Sequence, residues 1–179
     1  MDKTDKMRYN KLSNIGKGRS SMNYITYVGK HALTWTVSRH MHRGWELIFC
    51  TSGSGEIVLA DRSLRYGEGD VAIIPPMIPH ANVSGEGFTN IHMNLMDTAL
   101  PHTEPVIVRA DPNGFLLDAF TAAFYYWSEA GTGHTLISIY AQLIVALLAK
   151  YQPGRQHSDT VQQIEDDILQ HYPECTYDL

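Results

Sequence analysis

The feature that most narrows what this chain can fold into is a spacing. His40, His42, Glu46 and Gly53 read H-x-H-x3-E-x6-G, and a second segment from Gly69 through Pro75 to His80 reads G-x5-P-x4-H. Extended backbone alternates its side chains with a period of two, so His40 and His42 fall on one face of a strand. Glu46 opens the apolar run that follows. Imidazoles and a carboxylate from one segment, joined by His80 from another, form a donor set for a divalent metal such as Zn, Ni, Mn or Fe. The alternative is that the four groups line a polar pocket without metal, bonded to one another and to an organic ligand.

Around these motifs the chain carries short strand signals at close intervals. Residues 24–28 and 33–37 are rich in aromatic and β-branched side chains, and each predicts a strand. Residues 45–51 and 56–60 predict a hairpin around Ser52-Gly53-Ser54-Gly55. Residues 63–66 and 71–74 predict two more strands, and the second must stop or lie at an edge, because Pro75 and Pro76 cannot donate to a ladder. Residues 79–84 and 88–96 predict a last hairpin around Gly85-Glu86-Gly87. About eight short strands with glycine turns describe a sandwich or barrel.

The two spaced motifs resemble those of the cupin superfamily, which implies a mainly β fold, a jelly-roll β-barrel (double-stranded β-helix). The match has three departures: Thr34 and Met77 stand where the family usually has Gly, and Ser84 where it usually has Asn.

After the barrel the apolar period changes. Asp111 and Pro112 suit a helix start, and Leu116, Phe120, Ala123 and Trp127 make one stripe that Gly131-Thr132-Gly133 ends. A second helix over residues 135–151 carries Leu136, Ile139, Tyr140, Leu143, Leu147 and Tyr151, with Ile144 and Leu148 widening the stripe. A stripe this wide serves two neighbours, the first helix or barrel on one side and a second subunit on the other. A homodimer contact through Leu136, Ile139, Tyr140, Leu143 and Leu147 is therefore expected.

Charge and length restrict the function. Fourteen Lys and Arg against 19 Asp and Glu give a net charge of 14 − 19 = −5, which disfavours phosphate-backbone binding by this segment. Two cysteines, Cys50 and Cys175, have no stapling or zinc-knuckle spacing, which fits a reduced setting. The N-terminus lacks the apolar run of a signal peptide, and residues 143–149 fall far short of the ~20 apolar residues of a membrane span, so a cytoplasmic protein with no membrane partner is expected. No G-x-S-x-G elbow, phosphate loop or Cys/His pairing offers a nucleophile, and the chain reads as a binding module, not an enzyme.

The order of parts is a flexible arm (1–21), a barrel (22–110), an α-helical hairpin (111–152), and a linker with a further helical segment (153–179) that reads as cut short. With the WELIFCTSGSGEIVL, GEGDVAIIPPMIPH and VQQIEDDILQHY segments, this order resembles the N-terminal half of AraC/XylS-family transcription regulators. The resemblance implies a sensor that binds a small effector, a sugar or other metabolite, in the barrel and dimerises through the helical pair. DNA would be contacted only through a helix-turn-helix domain, of which 153–179 hold the start. A stand-alone cupin metalloenzyme, a dioxygenase or isomerase, is the competing reading. The expected effector pocket comprises Trp35, His40, His42, Glu46, His80, His92 and Asn94. Trp45 should face away from Glu46 into a core, Cys50 should fill the barrel interior, and His31, His102, His134, His157 and His171 should be solvated surface residues.

Overall fold

A computed structural model describes residues 24–98, 100–109, 113–130 and 135–151. The expected arm, the Asp111-Pro112 helix start, the Gly131–Gly133 break, the linker and final segment, His134, His157, His171 and Cys175 lie outside them. The described chain is mainly β: a six-stranded antiparallel sheet with the features of a cupin jelly roll, followed by a helical hairpin. The strands are β1 (Tyr24–His40), β2 (Trp45–Val58), β3 (Ser63–Gly67), β4 (Val71–Ile74), β5 (His80–Met96) and β6 (Val106–Val108). The order is β1-β5-β2-β4-β6, and β3 pairs with the far half of β2.

Both expected hairpins are absent. The eight expected strands become five because β1, β2 and β5 run on as continuous strands of 17, 14 and 17 residues, and β6 is a sixth that the sequence does not signal. The glycines that read as strand ends instead bend strands that continue. Gly53 (φ 77°) and Gly87 (φ 90°) lie in the left-handed region, and they meet so closely that a Cβ on Gly53 would clash with the Gly87 carbonyl oxygen. Only glycine meets both demands at this corner. Register shifts follow: Gly53 pairs with Phe88 and Glu56 with Val83, so four residues of β5 bulge out against two of β2. Glycine punctuation looks the same in sequence whether it ends a strand or folds it over, because only long-range pairing tells the two apart.

Strand alternation builds two cores on opposite faces of one sheet. Trp45, Leu47, Phe49, Val71, Ile73, Ile91, Met93 and Leu95 point outward beneath the helices. Ile48, Cys50, Ala72, Ile74 and Phe88 point inward with Ile57, Leu59 and Tyr66. Trp45 is in the core as expected, its Nε1–H donating to the Thr98 carbonyl at 3.0 Å, and Cys50 is the expected interior filler, its thiol pushed up to about 11 by burial.

The helices are α1 (Phe115–Ala130) and α2 (Thr135–Lys150). On α1 the expected stripe is the buried one: Leu116, Phe120 and Ala123 are fully covered, and Phe120 packs on Phe49 at 5.3 Å between ring centroids. Leu116 and Phe120 each contribute ~1.5–3 kcal/mol by leaving water. On α2 the core-facing residues are Ile137, Ala141, Ile144 and Leu148, so the margin of the expected stripe, not its centre, meets the sheet. Leu136, Tyr140 and Leu147 are half-buried, while Ile139 and Leu143 are exposed. Among the described residues no helix is long and apolar enough to cross a membrane.

Candidate metal centre and ligand pocket

The end of β1, the connection that follows it, the start of β2 and the start of β5 bring four side chains together. His40 pairs in register with His80 across β1 and β5, and Glu46, the second residue of β2, has its side chain on the interior face. One ligand atom from each of His40, His42, Glu46 and His80 lies within 4.8 Å of all the others. They centre on Glu46 Oε2, which stands 2.7 Å from His80 Nε2, 3.4 Å from His42 Nε2 and 3.7 Å from His40 Nε2.

The backbone fixes what two of these rings present. Nδ1–H of His40 donates to the Ser38 carbonyl at 2.8 Å, and Nδ1–H of His80 donates to the Ile78 carbonyl at 2.9 Å. A carbonyl only accepts, so both Nδ1 atoms carry hydrogen, and in the neutral rings both Nε2 atoms hold free lone pairs. A carbonyl that holds Nδ1–H in this way turns the opposite nitrogen of the imidazole toward a cation. His42 Nε2, His80 Nε2 and Glu46 Oε2 are buried with no aligned hydrogen bond, close as they are. Buried polar atoms normally have partners. A proton on Nε2 of His40 or His80 would make that ring an imidazolium, whereas a dication satisfies the lone pairs and the carboxylate together. The four residues thus fit a divalent metal, and can hold one.

Burial by itself would raise the Glu46 carboxyl, but the three imidazoles outweigh it and hold the group well below the usual carboxylate range. The Glu46 carboxylate raises His40 above the ordinary imidazole value, against the opposing effect of burial.

Beside the cluster opens a cavity of about 470 Å³, lined among others by Tyr27, His31, Asn82, Asn90, His92 and Asn94. His92 and Asn94 are two of the residues expected to line a pocket. They face this cavity while Ile91, Met93 and Leu95 face the helices. Trp35 is not among the lining residues; it is 51% exposed on β1, beside Gly87 at the corner. His31 corrects the surface assignment, since it lines the cavity, stacks on His92 at 4.5 Å between ring centroids, and has Nδ1 buried without a partner. His102 is half-buried between β5 and β6. His92 donates from Nδ1 to Asn90 Oδ1 at 3.2 Å, and burial, then the neighbouring His31, push it down to about 4.

Asn90 was legible, since it precedes His92 and Asn94 at the same period of two; the bulge at 84–87 hid Asn82, and the apparent break in β1 hid Tyr27 and His31.

Residues 33–87 match the family model for a cupin domain. No curated protein matches the chain. Among solved structures, a conserved protein of unknown function from Streptococcus pyogenes is similar over 40% of this chain and 63% of its own, at 26% identity and a TM-score of 0.35. DMSP lyase DddQ from Ruegeria pomeroyi DSS-3 is similar over 44% and 40%, at 25% identity and a TM-score of 0.34. An apo variant of ToxT from Vibrio cholerae is similar over 81% and 66%, at 9% identity and a TM-score of 0.46.

Proposed function

We propose that the chain is the small-molecule sensing and dimerisation module of an AraC-type DNA-binding transcription regulator, with a divalent metal held by His40, His42, Glu46 and His80 on the pocket floor. One observation carries the sensing half of this reading. β5 is shared: Asn90, His92 and Asn94 line the cavity from one face, and Ile91, Met93 and Leu95 support the helical layer from the other. A ligand that favours one setting of β5 is thereby coupled to the helices, provided its affinity differs between the two states. The outward Ile139 and Leu143 on α2 supply an apolar face for a second copy, and the resemblance in the order of parts supports the attachment to a DNA-binding domain.

A bound metal would supply a Lewis-acidic site for a ligand oxygen. The protein's own contribution is to fix the donors: Ser38 and Ile78 carbonyls set the ring tautomers of His40 and His80, and burial keeps water from competing for Glu46.

The same donor set beside an open cavity also favours a second reading, a stand-alone cupin metalloenzyme, a dioxygenase or isomerase. Elemental mass spectrometry of the purified protein tests the metal common to both. Near-stoichiometric Zn, Ni, Mn or Fe is expected in the wild type and a fall of at least tenfold in His42→Ala; a metal-free wild type after growth with all four ions refutes it. Ligand binding without turnover then supports the sensor, and turnover the enzyme.

A further inference from the structure

Three residues that line the cavity beside the four-residue cluster each carry a polar atom with no partner, and one of them, Asn94, pairs in register with Glu46. Asn82 Oδ1, Asn94 Oδ1 and His31 Nδ1 are all buried and all unbonded. Asn82 is 2% exposed, so its oxygen has no ready access to bulk water. Leaving such groups unsatisfied costs ~1–3 kcal/mol each, which a ligand that bonds them recovers.

We infer that His31, Asn82 and Asn94 form a subsite for an uncharged, hydroxyl-rich ligand, a polyol, that extends from the metal end of the cavity along β5. The inference rests on the binding function proposed above and names its ligand class. A hydroxyl is the group that serves all three positions, because it both donates and accepts. The two carboxamide oxygens call for donors, and the free imidazole nitrogen of His31 takes either role according to its tautomer. A carboxylate has only acceptors to offer and would face two carboxamide oxygens. An ammonium has only donors and would enter a cavity whose sole carboxylate among the described residues, Glu46, is already surrounded by three imidazoles. His92, kept neutral by burial, adds no cation to attract an anion there. Arg39 is also among the lining residues but is exposed. A volume of about 470 Å³ lies within the ~300–1,000 Å³ of small-molecule pockets.

Three probes on one six-carbon skeleton test this: D-glucitol (neutral), D-gluconate (anionic) and 1-amino-1-deoxy-D-glucitol (cationic). Each is titrated into the full chain, metal content recorded, and followed by ligand-observed NMR. D-Glucitol is expected to bind at least tenfold more tightly than either charged probe. Asn82→Leu, and separately the less buried Asn94→Leu, should each weaken it at least tenfold with metal content unchanged, while Trp35→Ala leaves it unaltered. If Asn82→Leu does not fold, Asn94→Leu carries the test. Equal or tighter binding of a charged probe overturns the ligand class but leaves a small-molecule pocket standing. If no probe binds to folded protein, the subsite is refuted and the sensing function loses its support in the pocket; if glucitol binds but neither asparagine variant weakens it, the residues are wrongly assigned.

Discussion

On the outer side of β5, Ile91, Met93 and Leu95 are buried against helices that leave them no room, and Phe49 and Phe120 close the layer. On the inner side, Asn90, His92 and Asn94 alternate with them along the same six residues and line a cavity in which buried polar atoms lack partners. One strand thus carries a finished interface and an unfinished one. A finished interface is expected to report on stability and to be indifferent to ligand; an unfinished one to report on ligand and protons, and to give up little stability when altered.

The largest effect should come from breaking the finished side. Phe120→Ala removes a fully buried ring from the contact between α1 and β2, and core Phe→Ala changes cost ~3–5 kcal/mol through lost transfer free energy and the cavity left behind. Urea denaturation should show that loss, while metal content of the folded protein stays as in the wild type. Loss of metal at constant stability would mean that the two faces are not separable.

A smaller effect should mark where the packed layer ends. Leu143 is 44% exposed on α2 although it lies in an apolar stripe whose margin, Ile144 and Leu148, is fully buried. If a second copy covers it, Leu143→Arg should weaken the dimer by ~2 kcal/mol, about thirtyfold, in sedimentation equilibrium. Stability of the protomer should move by less than ~0.5 kcal/mol, as at ordinary surface sites. A wild type that is monomeric at high concentration removes the reason for the exposed stripe.

The finished side was the more legible of the two in sequence. Leu47 and Phe49 alternate with Glu46 and Ile48, and Leu116, Phe120 and Ala123 repeat at helical spacing, so local periodicity predicts which way each points. The four-residue cluster was legible for a similar reason, since His40, His42 and Glu46 lie within seven residues and His80 ends a spaced motif of its own. What escaped depends on pairing over long separations. His31 reaches the cavity because β1 runs unbroken across Ala32 and lies on β5 opposite Asn90. Asn82 reaches it because the bulge at 84–87 resets the register between β5 and its neighbours. No window of a dozen residues contains either fact. On α2 the failure was of another kind: apolar residues occupy so much of the helix that its sequence could not say which part meets the sheet.

The smallest effect tests the unfinished side through protons. His92 is held near 4 in the folded state, chiefly by burial, against 6.5 ordinarily. Between those values the unfolded chain binds a proton at this ring and the folded chain does not, so stability falls as pH drops through the window and levels off below it. The shift sets a ceiling of ~3 kcal/mol at 1.36 kcal/mol per pH unit, and a ring that is only partly buried realises less. His40 titrates in the opposite sense, its raised value adding stability at low pH that is lost as pH rises, so the wild type alone reports only the sum. Subtracting His92→Gln, which has no charge to gain, isolates the ring. Melting temperatures of the two proteins should converge as pH falls from 6.5 toward 4 and keep a constant offset above 7. Parallel curves across the whole range would mean that His92 is solvated and that the inner face of β5 is less secluded than its orphaned atoms imply.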